Sequence, residues 1–187
     1  DVTANYNITE IDGTLTVTPV EIVLTAKSDT KVYDGTSLTN SGYDITTGAF
    51  VGADGLETVT VEGSQTYVGS SDNEITGHTL KAGTIAGNYD ISYVKGTLTV
   101  TQAEIPITVT AKDDSKVYNG TALTNSGWDL TSGTLASGDV LQVTVVGSIT
   151  NAGTETNEIT EVKVMNGSED VTANYNITEI DGTLTVT

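Results

Sequence analysis

Three residues recur in the same order along the chain: Lys27, Glu74 and Asn88, then Lys112, Glu158 and Asn174. An amine, a carboxylic acid and a carboxamide are the groups that an intramolecular Lys–Asn amide bond requires. The acid must stay protonated, which demands an apolar site. Against this chemistry, each lysine leads straight into a polar turn, so the expectation for its ammonium is contact with water. The acidic loops "SSDNE" (70–74) and "KDDS" (112–115) offer oxygen ligands for calcium, but their spacing matches no EF-hand loop. Tyr43 in "SGYD" and Trp128 in "SGWD" occupy equivalent positions. An exposed ring there could stack on a sugar, and the competing expectation is an aromatic packed at the edge of a core. His78 is the sole histidine and is matched by Val162, so catalysis through an imidazole is not expected, and a loop position is. The absence of Cys excludes disulfides, thiolate metal sites and cysteine nucleophiles. No enzyme is expected.

The elements that must position these residues read as strands. Thr and Val, both strand formers, are abundant, whereas the good helix formers are sparse or dispersed. "EIPITVTAK" places Ile105, Ile107, Val109 and Ala111 on one face and Thr108 and Thr110 on the other, and Ile22, Leu24 and Ala26 repeat the pattern. "GTLTVT" alternates Leu98 and Val100 with Thr97, Thr99 and Thr101. Such alternation suits a sheet with one wet face. "NITEIDGTLTV" sets Asp-Gly between two apolar runs, a strong hairpin signal. Seven lysines face 25 acidic residues and Arg is missing, giving a net charge of −18. That balance repels nucleic acid and anionic membranes. No apolar run reaches transmembrane length.

Self-comparison supplies the organisation. "AKSDTKVYDGTSLTNSGYDITTG" (26–48) returns as "AKDDSKVYNGTALTNSGWDLTSG" (111–133), and "NYDISYVKGTLTVT" (88–101) returns as "NYNITEIDGTLTVT" (174–187). Residues 1–18 match residues 170–187 at every position. The expected units are therefore repeat 1 over 19–101 and repeat 2 over 102–187. Residues 1–18 read as the terminal hairpin of a preceding repeat, expected to pair with a sheet edge. Short strands separated by turn signals every eight to twelve residues predict an all-β protein of two tandem small β-sandwich (Ig-like) modules, arranged end to end. β-grasp modules are the alternative and would require a helix. Only two or three residues separate the last strand of one unit from the first of the next, which predicts a semi-rigid rod.

"KVYDGTSLTN" (31–40), "GSQTYVGSSDNEI" (63–75) and "ANYNITEIDGTLTVT" (4–18 and 173–187) resemble the YDG- or MBG-type tandem repeats of bacterial cell-surface adhesins. The resemblance covers essentially the whole chain. It implies an extracellular stalk or adhesin segment at the cell surface or cell wall, with neighbouring repeats as partners. It further implies, as the alternative, repeats that themselves bind mucin, glycan or a host protein. No nucleic acid and no direct membrane contact are expected. The second repeat reads "YNGT" (118–121), so Asp34 is not essential to the motif, whose physical reading is a turn with Tyr33 and Tyr118 anchoring the preceding strand.

Overall fold

The computed structural model describes residues 1–187 and is all-β, with three single 3-10 turns and no α-helix. Repeat 1 contributes β1 (Val20–Ala26), β2 (Asp29–Val32), β3 (Tyr43–Thr47), β4 (Leu56–Glu62), β5 (Gly69–Leu80), β6 (Tyr89–Val94) and β7 (Gly96–Thr101). Repeat 2 contributes β8 (Ile105–Ala111), β9 (Asp114–Lys116), β10 (Trp128–Ser132), β11 (Asp139–Val146), β12 (Gly153–Asn166), β13 (Glu169–Asp170), β14 (Tyr175–Ile180) and β15 (Gly182–Val186). The sheets run β3-β1-β6 and β2-β7-β5-β4, then β10-β8-β14 and β11-β12-β15-β9, with β13 paired to β12. Apart from β13, which has no counterpart in repeat 1, the connectivity is the same in both repeats.

Period-two alternation survives where it was read. Ile22, Leu24 and Ala26 of β1 are buried, as are Ile107, Val109 and Ala111 of β8 and Leu98 and Val100 of β7. In repeat 1 the inner face of β1 packs with Ile75 and Tyr89, flanked by Val59 and Val61 of β4. In repeat 2, Val109 and Ala111 meet Val145 and Ile159.

The pairing order departs from the hairpin expectation. β6 runs parallel to β1, and β7 runs parallel to β2. β14 and β15 repeat this against β8 and β9. The Asp181-Gly182 step therefore joins two strands of different sheets. Type I′ geometry requires positive φ at both central residues, and neither Asp181 nor Gly182 has it. Glycine is needed at 182 for space: a Cβ there would stand 2.6 Å from the carbonyl oxygen of Lys112 on the strand crossing beside it. Gly96 is under the same constraint, 2.5 Å from the carbonyl oxygens of Ala26 and Lys27. First and last strands thus pass together from one sheet to the other, with only glycine admitted at the contact.

Buried asparagines fasten these crossings. Asn73 donates to the carbonyls of Lys27 and Asn40 at 2.8 Å each, and Asn157 donates to that of Lys112 at 2.9 Å. Room for them comes from Gly63 and Gly147, where a Cβ would approach the Asn Oδ1 to 2.6 and 2.5 Å. Each Oδ1 is left without a partner, a cost of about 1–3 kcal/mol. The donated bonds prevent the same cost at the crossing carbonyls.

Residues 1–18 form no hairpin and join no sheet; they hold a 3-10 turn at Thr3–Asn5, with Leu15 and Val17 almost fully exposed. The identical letters at 170–187 become β14 and β15 because β8, β9 and β12 are there to pair with them. A parallel-paired strand has no partner within its own segment. The two copies give an internal control. Gly182→Ala should destabilise the protein by about 1–3 kcal/mol in a denaturant titration, the usual cost of overpacking. Gly13→Ala, in the same sequence but with nothing within 4 Å, should leave the midpoint unchanged.

Candidate functional site

The residues singled out for crosslinking are not brought together. β1 and β6 pair with Val20 opposite Tyr89, so Asn88 lies level with residue 19. Lys27 sits beyond the opposite end of β1, roughly 26 Å away at 3.3 Å per residue. The Lys27 ammonium lies 3.4 Å from Asp44, and Lys112 lies 3.3 Å from Asp129, with all four side chains about half exposed or more. Glu74 pairs with Lys95 near the surface, Glu158 is exposed, and Asn88 is exposed. Asn174 is buried, and its Oδ1 accepts the amide of Ala103 at 3.2 Å. Neither Glu74 nor Glu158 therefore lies in the apolar site that the crosslink demands.

The other candidates have structural occupations. Tyr43 is half-buried against the core of repeat 1, and Trp128 is half-buried against that of repeat 2, each opposite the last alanine of the first strand. His78 lies within β5, not in a loop, with its ring edge-on to Tyr93. The acidic stretches are not loops, since 70–74 lies within β5 and Asp114 and Ser115 within β9; Asp113 accepts the amide of Thr183 at 2.7 Å, Asp114 that of Ser115 at 2.8 Å, and Asp72 pairs with Lys95 at 2.8 Å. No three acidic or histidine side chains gather at one point.

The most organised polar cluster is one that sequence reading missed, and it lies between the repeats. β2 ends at Val32, and the Tyr33 amide continues its ladder by donating to Thr101 at 2.9 Å. The Tyr33 side chain does not return to its own strand. It enters repeat 2, where it is 2% exposed, and its hydroxyl donates to Asp139 Oδ1 at 2.7 Å. Tyr175 donates to Asp139 Oδ2 at 2.5 Å, and Asn166 Nδ2 donates to Oδ1 at 2.6 Å. The carboxylate, 8% exposed, thus receives three donors, which is what makes burial of a charge tolerable. The Ala136 amide closes the group by donating to the Tyr175 hydroxyl at 2.9 Å.

Around it lies one apolar cluster drawn from both repeats: Tyr33, Leu38, Leu98 and Val100 from the first, Ile107, Val164, Val171 and Tyr175 from the second, and Ala103 between them. The linker is itself packed, since Ala103 is buried and Gln102 donates to the carbonyl of Ala173. A cleft beside the joint, lined by Tyr67, Val68, Gln102 and Glu169 among others, measures 230 Å³. That is below the roughly 300–1,000 Å³ of small-molecule sites.

The turn after Tyr33 explains the "YDG" spelling. Asp34 Oδ1 accepts from the Thr36 amide and hydroxyl and from the Lys31 ammonium. Lys31, then Thr36, hold the Asp34 carboxyl well below the usual carboxylate range. Asn119 does the same with its amide oxygen, receiving Lys116 at 3.1 Å and the Thr121 amide and hydroxyl at 3.1 and 2.8 Å. The turn needs an oxygen acceptor, not a charge. Gly35 and Gly120 both have φ of 78°. Only Gly35 also meets the next repeat: the Asp34 carbonyl accepts the Ser137 amide at 3.1 Å, and a Cβ on Gly35 would lie 2.0 Å from the Ser137 oxygen.

Two measurements probe the joint. Gly120→Ala should cost about 1–2 kcal/mol from left-handed backbone strain alone. Gly35→Ala should cost more and should also expose Tyr33, read as a rise in that ring's solvent accessibility by tyrosine NMR or chemical labelling. The second measurement is alkaline titration. Burial, then the hydrogen bond to Asp139, push the Tyr175 hydroxyl from 10.0 up to about 12, and the same causes raise Tyr33 further. A raised folded-state value means the contribution is complete below about pH 10 and is lost as pH climbs through about 12. In an absorbance titration of the eight tyrosines, Tyr33 and Tyr175 should ionise among the last, and together with opening of the joint. No family model, curated protein or solved structure matches the chain.

Proposed function

We propose that the chain is a non-catalytic, semi-rigid spacer: two small β-sandwich modules set end to end in an extracellular stalk or adhesin segment of a bacterial cell surface. One observation carries this reading, the single buried cluster that draws on both repeats and on the residues between them. Inter-module flexibility is the default when two domains share a small polar contact. Here the contact is apolar, holds a carboxylate with three donors, and is spanned by only three residues, Gln102–Glu104, between β7 and β8. Bending it would take the Tyr33 donor from Asp139 and expose Val171 and Tyr33.

The charge pattern agrees with such a role. A net charge of −18 keeps like surfaces apart and long arrays soluble, and the resemblance to YDG- or MBG-type adhesin repeats supplies the location. The reading in which the repeats bind glycans through Tyr43 and Trp128 is not favoured, because both rings are half-consumed by core packing. No helix is long and apolar enough to cross a membrane. Residual dipolar couplings test the proposal. Couplings from 20–101 and from 105–186 should fit one common alignment tensor, and two tensors of different magnitude would show a swivel and overturn it.

A further inference from the structure

Each repeat carries both halves of the joint, but only one plug and one socket meet within this chain. The socket of repeat 2 is Asp139, Tyr175 and the Ala136 amide; the corresponding set in repeat 1 is Asp54, Tyr89 and the Val51 amide. Tyr89 donates to Asp54 Oδ2 at 2.7 Å and accepts from the Val51 amide at 3.0 Å, reproducing the geometry of the filled socket. Asp54 Oδ1, the position that receives Tyr33 on Asp139, has no donor. A cleft of 360 Å³ opens over it, walled by Val17, Pro19, Val51, Asn88 and Tyr89 among others. Exposure follows the difference: Val51 and Ile85 are 63% and 64% exposed, whereas Val171, the counterpart of Ile85, is 4% exposed.

The plug of repeat 2 is equally available. Tyr118 is 55% exposed against 2% for Tyr33, although its amide continues the strand in the same way, donating to Thr187 at 2.7 Å. The turn behind it is preformed by Lys116, Asn119 and Thr121. Gly120 has nothing within 4 Å, leaving open the space that Ser137 fills at Gly35.

We infer that the Asp54–Tyr89 socket receives the Tyr118–Asn119–Gly120 turn of another molecule of this chain, so that molecules associate head to tail. The contact is heterologous: plug and socket are different surfaces at opposite ends, so it does not close on itself and adds further molecules in a line. Residues 13–18 hold no ladder and are exposed; Val20 stands where Ile105 does in the internal joint, so the incoming Thr187 comes level with Thr16 and these residues give way. Asn119 in place of Asp brings one negative charge fewer to the contact. Mutual repulsion of two −18 chains opposes association, so added salt should strengthen it.

The inference rests on the plug-and-socket reading of the internal joint and is tested separately from it. Sedimentation equilibrium of the whole chain should show mass rising with concentration toward the roughly millimolar range that a short linker supplies within one chain, and more so at high salt. Tyr118→Ala, at an exposed position, and Val51→Glu, on the cleft wall, should each remain monomeric with unchanged circular dichroism. Asp54→Ala should behave as Val51→Glu does. An equimolar mixture of Tyr118→Ala and Val51→Glu should give a 1:1 dimer and nothing larger, since one supplies only a socket and the other only a plug. A wild-type chain that stays monomeric while its two repeats share one alignment tensor overturns this inference alone. Association that survives both variants, or a mixture that stays monomeric while the wild type assembles, also overturns it.

Discussion

The parallel pairing of first and last strands constrains everything else in this fold. Because β1 continues into β2 beside β6 and β7, both strand pairs must pass between sheets at one place, and Gly96 is the residue that lets them. Asn73 and Gly63 exist around that crossing to tie down and accommodate its backbone. The same arrangement sets what each end of a repeat presents. β2 carries Tyr33 to one end of the repeat, while β6 begins with Tyr89 at the other. A plug and its socket therefore lie at opposite ends of each unit, and stacking has a single polarity.

The joint resolves a tension between charge and burial. Asp139 would be costly in an apolar cluster if left to itself. It is acceptable because two phenols and an amide converge on it: Tyr175 and Asn166 come from its own repeat, and Tyr33 arrives only when the other repeat is aligned. An apolar patch alone would tolerate sliding; a buried carboxylate with fixed donors does not. The β12–β13 hairpin that carries Asn166 makes this stretch longer than its repeat-1 counterpart and adds a further donor, so the two sockets are alike without being identical in strength.

Local features were legible in the sequence. Ile22, Leu24 and Ala26, or Leu98 and Val100, announce a buried face through period two. Features set by distant chain were not. Asp181-Gly182 reads locally as a hairpin turn, and only the carbonyl of Lys112, seventy residues earlier, shows why glycine stands there. Lys27 and Asn88 looked like a reacting pair until strand direction placed them at opposite ends of β1. Tyr33 was read as anchoring its own strand because nothing local tells plug from anchor. The signal available was a tyrosine before a rigid Asp-Gly or Asn-Gly turn in both repeats, together with an acid that recurs under different spellings, "ADGL" and "SGDV".

The strand directions also decide how the chain meets a pull. Tension enters repeat 1 at the start of β1 and leaves it at the end of β7. β1 is bonded to β6 over six residue pairs, and β2 to β7 over four, all running parallel. Force applied to opposite ends of adjacent parallel strands acts along them, so the ladder bonds share the load and must yield together instead of opening one at a time. The pairing that demands glycine at each crossing is thus also a shear clamp, set in line with the direction in which a tethered chain is stretched.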